Sequence, residues 1–299
     1  MSFDTPIELA GPWRSPLNLL SEQTYGEHAS IHDPETAQGL GLSGAAVEGP
    51  THFSQFDPLM AAVWGSSWFE RGCISAHFTA ICNEGERTRA SATVTGSRAD
   101  IRTEKADGTT VLKGTATLGA GPTELGERLA RFRTIDDPVI FEGWTPGRRG
   151  SGTETLRMDF DTHLGDLYPF TLGRKLEAIT EPSPWYTTGD NPWGRPIVPI
   201  EMISVLAMAT FGESGLVKAE PSVGLFLGLE IRMLGTPVFV GSPYALDREV
   251  LAVGESRRVE SSWIRTSVTC QETGTQVAEV LLHQGVFKGS YPGYPEHRL

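Results

Sequence analysis

A carboxylate and an imidazole lie close together near the start of the chain, in the run Gly26-Glu27-His28-Ala29-Ser30-Ile31-His32. Glu27 and His32 are five residues apart on a segment that is typical of a loop. A carboxylate and a neutral imidazole at this spacing can hold one water molecule between them and exchange protons with it. The pair therefore indicates general acid–base chemistry, and the alternative is a polar loop whose side chains cap turns or meet solvent.

A second polar motif, Gly189-Asp190-Asn191-Pro192, lies in the second half of the chain. Asp and Asn hydrogen-bond their own backbone in turns, so ordinary turn chemistry explains Asp190 and Asn191. The alternative is a contact with the polar part of a substrate. Trp185 and Trp193 flank the motif, and they either fill the core or an interface or line a pocket for a bulky group.

Two apolar helices must position these motifs. The first is predicted near residues 51–68, where apolar residues follow helical spacing. Pro58 is either its first helical position, with Asp57 as the cap, or a kink in a helix that begins at Thr51; the sequence leaves both open. The second is predicted over 198–209, with a proline in its first turn, and it is apolar on nearly all sides, which indicates burial.

Strands are predicted after each helix, from alternating polar and apolar residues. The turns at Asp107-Gly108 and Thr273-Gly274 are predicted to join hairpins. The predicted strands cover residues 86–95, 101–105 and 109–118 in the first half, and 222–234, 247–258, 261–271 and 275–287 in the second.

The order of these elements repeats along the chain. Gly108 matches Gly274, and Gly26 matches Gly189, at nearly the same offset. Two landmarks with similar offsets favour an internal duplication. The predicted organisation is an N-terminal domain over 1–120, a linker over 121–150 with a short polar helix near 123–133, and a C-terminal domain over 151–299.

Composition excludes several classes of protein. The net charge of −12 argues against nucleic-acid binding, which needs a clustered positive surface. No stretch approaches the ~18 apolar residues of a membrane helix, and the N-terminus lacks the basic and apolar regions of a signal peptide. The three cysteines lack CxxC spacing, and the histidines form no ligand-spaced cluster. We therefore expect reduced thiols, a cytoplasmic protein and no metal site.

One buried helix wrapped by a strongly curved antiparallel sheet, present twice, resembles the double hot-dog fold. The chain is similar to its MaoC-like branch, which contains the type 2 enoyl-CoA hydratases and has the signature Gly-Asp-x-Asn-Pro-Ile-His. The run ending at His32 matches at the glycine, at the acid position with Glu27, at the isoleucine and at the histidine. The second motif keeps its first residues, with Gly194 at the histidine position. The implied fold is α+β, with two curved antiparallel sheets, each around one buried helix, that join edge to edge.

The resemblance also implies roles for individual residues. Glu27 would be the acid–base partner, His32 the imidazole, and Gly49 the backbone N–H donor to a developing enolate oxygen at a helix start. The position of Asp190 and Asn191 in the second motif, with Trp185 and Trp193 beside it, implies contacts with the substrate.

The implied function is a hydratase or dehydratase, a carbon–oxygen lyase acting on an α,β-unsaturated acyl thioester such as an acyl-CoA. No cofactor is implied, and a homodimer is expected. One alternative is a non-catalytic subunit that binds an acyl thioester. Another is a hot-dog thioesterase or a lyase on a different substrate, for which an acid on the helix, such as Glu201, would have to meet the carbonyl, with His283 offering little support.

Overall fold

The computed structural model describes residues 5–21, 23, 30–150 and 155–299. In this part of the chain, ten strands form a single antiparallel sheet in the order β1-β3-β4-β5-β2-β7-β10-β9-β8-β6. The strands are β1 (Ile7–Ala10), β2 (Gly72–Phe78), β3 (Thr88–Thr95), β4 (Arg98–Lys105), β5 (Thr110–Leu118), β6 (Thr155–Arg157), β7 (Gly224–Met233), β8 (Pro243–Glu255), β9 (Val259–Cys270) and β10 (Thr275–Phe287).

The strand order is that of a duplicated unit. Each half runs outward from a central strand, as β2-β5-β4-β3-β1 on one side and β7-β10-β9-β8-β6 on the other. The halves meet where β2 pairs with β7, from Cys73 opposite Arg232 to His77 opposite Gly228. The matched turn glycines Gly108 and Gly274 both have positive φ, at 87° and 68°, in equivalent hairpins. The matching topology supports the internal duplication.

Along the chain, the α-helices fall between β1 and β2, between β5 and β6, and between β6 and β7. They are α1 (Pro34–Gly39), α2 (Asp57–Trp64), α3 (Ser67–Arg71), α4 (Glu124–Ala130), α5 (Leu172–Ala178) and α6 (Ile200–Met208). A 3₁₀-helix, Gly49–Phe56, runs directly into α2. The predicted helix over 51–68 is thus three consecutive pieces: this 3₁₀-helix, α2 and α3. Pro58 is neither the first helical residue nor a kink in one continuous α-helix, because it is the second residue of α2 and a 3₁₀-helix precedes α2.

Asp57 is the first residue of α2 and has a different task from capping. Its carboxylate accepts hydrogen bonds from Trp68 Nε1 and Tyr186 Oη, each at 2.9 Å. The two donors come from different halves of the chain, so this buried carboxylate ties α2 to the second half.

Helix α6 is enclosed by apolar side chains, as its sequence predicts. In α6 every residue from Ile200 to Ala207 is buried, because the helix packs on β7 and β10 on one side and on the 3₁₀-helix of the first half on another. The strand predictions are also confirmed to within a few residues, and β3 buries Thr88, Ala90, Ala92 and Val94 on one face as the alternation indicates.

The segment predicted as a linker contains the predicted polar helix, α4, capped by the Thr123 hydroxyl. Beyond α4 the chain is fixed to the second half. The buried Glu260 carboxylate accepts the backbone N–H groups of Val139, Ile140 and Phe141 at 2.8–3.0 Å. This segment is therefore a packed connection between the halves.

Candidate active site

A cavity of about 1030 Å³ lies between the two halves. The first half contributes the start of its 3₁₀-helix and the loop around His32, whereas the second half contributes the end of α6 and the segment after it. Its wall is mostly apolar and includes Ile31, His32, Glu48, Gly49, His52 and Phe78 from the first half, and Tyr168, Met208, Phe211, Leu216, Leu225 and Phe226 from the second. A largely apolar cavity with a few polar groups is typical of a site for a small molecule.

The four-residue segment from Ala46 to Gly49 organises one wall of this cavity. The N–H of Ala46 donates to the Ile31 carbonyl at 3.0 Å, and the N–H of Val47 donates to the Cys82 carbonyl at 2.7 Å. These bonds hold the segment against both the His32 loop and the loop between β2 and β3. All four of its residues line the cavity, and the last begins the 3₁₀-helix.

The imidazole of His32 is oriented by this same segment. Its Nδ1 lies 2.7 Å from the carbonyl oxygen of Ala46. A carbonyl can only accept, so the proton is on Nδ1 and the lone pair is on Nε2. Burial lowers the pKa of His32 below its usual value, although the hydrogen bond to Ala46 opposes this in part. The ring is therefore neutral at pH 7, and Nε2 is a base.

Gly49 stands at the first position of the 3₁₀-helix, where backbone N–H groups have no partner inside the helix. A Cβ atom at this position would lie 2.8 Å from Cε1 and Cζ of the Phe78 ring. The backbone is therefore closely approached at this point, and a side chain would intrude. This fits a wall that a reacting group contacts, and it also fits a glycine selected for packing against Phe78.

A cluster of buried charges adjoins the same helix start. Lys175, from α5, is 3% exposed; its Nζ lies 2.9 Å from Thr51 Oγ1, 3.7 Å from Glu201 Oε2 and 4.0 Å from Glu48 Oε2. Burial raises the pKa of Glu201 to about 7 and also raises that of Glu48, with Lys175 opposing both shifts. Two carboxyl groups thus share one ammonium group inside the protein.

Glu48 and His52 both line the cavity, and sequence reasoning missed both. Burial, reinforced by the charges of Lys175 and Lys105, lowers the pKa of His52 to about 4, so this ring is neutral at pH 7. The only local signal was an acid and a histidine four residues apart around an apolar helix start, a pattern that exposed helix termini also show. Lys175 lies more than a hundred residues away, so no local pattern connects it with Glu48.

The second motif forms a closed turn away from the cavity. Asn191 Nδ2 donates to the carbonyls of Arg195 at 2.7 Å and Thr188 at 3.2 Å, and its Oδ1 accepts the N–H of Trp193 at 3.0 Å. Asp190 is exposed. Of the residues that the structure describes, the cavity wall includes neither of these side chains.

The two tryptophans beside this turn pack elsewhere. Trp185 and Trp193 meet edge to face at 5.5 Å, and both contact the ring of Phe69. Trp193 Nε1 also donates to Glu70 Oε1 at 2.8 Å. They fill the interface between the second motif and α3 of the first half, outside the part of the cavity wall that the structure describes.

The remaining candidates are separated from the cavity or lie outside the described residues. Glu27 falls in the undescribed run 24–29. Glu201 is buried behind the wall, and the ring of His283 stacks at 4.0 Å on Trp263, away from the described wall. A thioesterase built on Glu201 and His283 therefore receives no support from their placement.

The described residues include neither a metal-binding cluster nor a membrane-spanning helix. They contain no group of three or more His, Cys, Asp or Glu side chains that could hold a metal ion. Their helices are all too short or too polar to cross a bilayer.

Comparison with known proteins identifies the fold. No protein-family model and no curated protein matches the chain. A putative MaoC domain protein dehydratase from Chloroflexus aurantiacus is similar with a TM-score of 0.60 at 14% identity, over 95% of both chains. A Mycobacterium tuberculosis protein described as a double hotdog fold has a TM-score of 0.56 at 14% identity, over 96% of this chain and 97% of its own. A further structure, a MaoC-like dehydratase, has a TM-score of 0.52 at 12% identity, over 95% and 97%. The predicted resemblance to MaoC-like double hot-dog proteins is confirmed at the level of the fold.

Proposed function

We propose that this chain is a hydro-lyase that adds water to, or removes it from, an α,β-unsaturated acyl thioester, with coenzyme A as the thiol. One observation carries the proposal: a neutral, oriented imidazole and a glycine at a buried helix start line the same cavity. The fold supports it, because proteins described as MaoC-like dehydratases share it.

In this proposal His32 is the base that activates water. Its Nδ1 proton is committed to the Ala46 carbonyl, so Nε2 accepts a proton from a water molecule in the cavity. The oxygen of that water then attacks Cβ of the conjugated double bond. Glu27, five residues earlier in the sequence, would hold the same water as the acid–base partner. Its assignment depends on the motif alone.

Gly49 stabilises the other end of the reacting group. Attack at Cβ moves negative charge onto the thioester oxygen, and the N–H at a helix start, aided by the helix dipole, is a suitable donor to that charge. The close approach that the missing side chain permits would let the carbonyl reach this N–H. Donors of this kind contribute about 100- to 1000-fold in rate in other enzymes.

We further propose that residues 1–120 and 151–299 are two hot-dog units, each wrapped around its own helix and joined by residues 121–150. Contacts of the 3₁₀-helix with β3, and of α6 with β7 and β10, support this division. We also propose a homodimer in a reducing, cytoplasmic environment. All three cysteines are buried free thiols, which supports the reducing environment.

The direct test is the loss of enoyl-thioester absorbance when the purified protein meets short, long and aromatic enoyl-CoA substrates. His32→Ala should lower kcat by at least about 100-fold, the usual contribution of a positioned base. His297→Ala, which removes an exposed imidazole, is the matched control and should retain full activity. If the wild-type protein turns over none of these thioesters, the hydro-lyase proposal is wrong for them, and calorimetry with CoA would then test the non-catalytic binding subunit.

A further inference from the structure

Glu48 differs from the other carboxylates near the cavity because it is both enclosed and part of the wall. It is 7% exposed, lines the cavity, and its Oε1 has no hydrogen-bond partner among the described residues. A buried carboxyl oxygen without a partner is costly and is retained in proteins mainly for a reason other than stability.

The position of Glu48 along the wall places it between the other two functional groups. The Ala46 carbonyl holds the His32 ring, and Gly49 supplies the N–H at the helix start. Glu48 lies two residues after Ala46, within about 7 Å along the chain, and directly before Gly49. His32, Glu48 and Gly49 all line the same cavity, so a substrate that meets His32 and Gly49 lies in the space that Glu48 also borders.

The charges around Glu48 do not balance if every group is ionised. The charged groups that act on it are Lys175 from α5 and Glu201 from α6; Lys175 and Lys105 also act on His52, and Asp57 acts on Glu201. His52 is neutral, so the two carboxyl groups of Glu48 and Glu201 share the one ammonium group of Lys175 inside the protein. Burying an unpaired charge is expensive, and a carboxyl group in that position binds a proton instead.

We infer that Glu48 is a further catalytic residue of the proposed reaction, the acid–base group that exchanges a proton with Cα of the substrate, and that Lys175 and Glu201 are positioning residues that keep this proton available. The inference rests on the proposed function. Hydration requires two proton transfers. The first, from water, is already assigned to His32 with Glu27 as its partner, and this inference assigns the second, to Cα, to Glu48.

The step balances without any further reagent. In hydration, His32 Nε2 takes one proton from water while the water oxygen bonds to Cβ, and the π electrons of the double bond move through Cα to form the enolate. The enolate collapses, and Cα takes the proton of the Glu48 carboxyl group. His32 then holds one extra proton and Glu48 lacks one. A water molecule in the cavity carries the proton from His32 to Glu48 and restores the starting state. Dehydration is the exact reverse.

The experiment follows Cα directly, with a 3-hydroxyacyl-CoA in D₂O. Nuclear magnetic resonance measures deuterium entering at Cα, and absorbance measures formation of the enoyl thioester. Glu48→Gln should lose both reactions by at least about 100-fold, with its KM within threefold of the wild type. His32→Ala should lose dehydration but retain exchange at Cα. Glu35→Gln is the matched control. It makes the same change from carboxylate to carboxamide at an exposed position on α1, so it should alter neither reaction.

Two further variants keep the test decisive. If Glu48→Gln does not fold, Glu48→Asp keeps the acid one methylene shorter and should lose about 10- to 100-fold, as a displacement near 1 Å does. Glu201→Gln leaves Glu48 alone with Lys175 and favours its ionised form, so the rate of hydration of an enoyl-CoA, which needs the protonated Glu48, should begin to fall at a lower pH than in the wild type. A purely structural role for Glu201 would alter the melting temperature and leave that pH unchanged.

The outcomes separate the two proposals. Wild-type activity that survives in Glu48→Gln would overturn this inference and leave the hydro-lyase in place. Loss of Cα exchange in Glu27→Gln but not in Glu48→Gln would assign the proton transfer to Glu27 and would also overturn it. A wild-type protein that neither dehydrates nor exchanges would overturn the proposed function and, with it, this role for Glu48.

Discussion

The two halves share a topology, but their buried helices start differently. These helices are the 3₁₀-helix Gly49–Phe56 in the first half and α6 in the second. In the first half, Glu48 and Gly49 open onto the cavity. In the second half, the equivalent start is closed: the N–H of Val198 donates to the Val238 carbonyl at 2.8 Å, and the helix from Ile200 onward is buried. The second half instead contributes the end of its helix and the residues after it to the cavity wall.

This difference explains how a duplicated fold can carry one site. The first half has Glu48 and Gly49 ahead of the proline at its helix start, whereas the second half has Val198 ahead of its proline. The second half therefore contributes wall residues to the cavity, and Lys175 and Glu201 are its charged residues in the buried cluster at the first helix start.

The largest effect is expected when the Lys175 ammonium group is removed from the buried cluster. Lys175→Met leaves Glu48 and Glu201 buried without a cation, and removing one member of a buried ion pair costs about 3–5 kcal/mol. We expect the free energy of unfolding at pH 8 to fall by this amount. At pH 5.5 the loss should be smaller, because Glu201, whose pKa burial raises to about 7, then binds a proton. Urea unfolding at both pH values measures the difference.

The double variant Lys175→Met, Glu201→Gln is the control for this prediction. It removes one of the two unpaired carboxyl groups, so it should recover part of the stability lost at pH 8. A Lys175→Met protein as stable as the wild type at pH 8 would show that the cluster does not join the halves in the way its geometry indicates.

The next largest effect concerns Gly49 itself. Gly49→Ala places a Cβ 2.8 Å from the Phe78 ring and in the space proposed for the substrate carbonyl. We expect kcat/KM to fall about 100-fold, as it does when one oxyanion donor is lost or displaced. Gly39→Ala is the matched control, because a Cβ there meets no atom within 4 Å.

A second substitution separates the two roles of Gly49. If the glycine serves only to accommodate Phe78, then Phe78→Leu added to Gly49→Ala should restore activity, because the smaller side chain leaves room. If the substrate carbonyl needs the space, activity should stay low in the double variant while the melting temperature recovers. Full rescue of kcat/KM would therefore contradict the proposed role.

The sequence predicted the framework better than the site, and the reason is physical. Alternation and turn glycines are local signals, so the strand boundaries and the hairpin at Gly108 were predicted closely. The duplication followed from comparing such local signals. By contrast, the link from Lys175 to Glu48 and Thr51 depends on tertiary packing across the halves, and no periodicity encodes it.

The second motif teaches the same lesson in reverse. Asp190 and Asn191 matched the family pattern in order, yet the same residue types form turns, and the sequence left both explanations open. In the structure Asn191 is committed to backbone groups of its own turn. Residue identity alone does not separate a site from a turn; the surroundings of the side chain do.

A smaller effect is expected from the pH dependence of stability. The pKa of Glu201 in the folded protein is about 7, above the usual value of 4.5, because burial disfavours the ionised form. The folded state therefore holds this proton more tightly than the unfolded state between these two values, so stability falls as the pH rises from about 4.5 to 7 and then levels off. Glu201→Gln cannot ionise and should lose this contribution.

The measurement is the free energy of unfolding of both proteins at pH 5 and pH 8. Relative to the wild type, Glu201→Gln should gain roughly 2–3 kcal/mol between pH 5 and pH 8. Some slope should persist, because burial also raises the pKa of Asp57 to about 7. Identical slopes in the two proteins would show that Glu201 does not titrate in this range.

The smallest effect is expected at the closed motif of the second half. Asp190→Ala removes an exposed side chain outside the described wall of the cavity, so kcat/KM should stay within about twofold and stability within about 0.5 kcal/mol of the wild type. Asn191→Ala should lower the free energy of unfolding by about 1–2 kcal/mol, because it removes hydrogen bonds to the Arg195 carbonyl and the Trp193 N–H. Its kcat/KM should remain near that of the wild type. A loss of activity in Asp190→Ala as large as that in His32→Ala would place the chemistry in the second half, and the distinction between an open and a closed helix start would then be wrong.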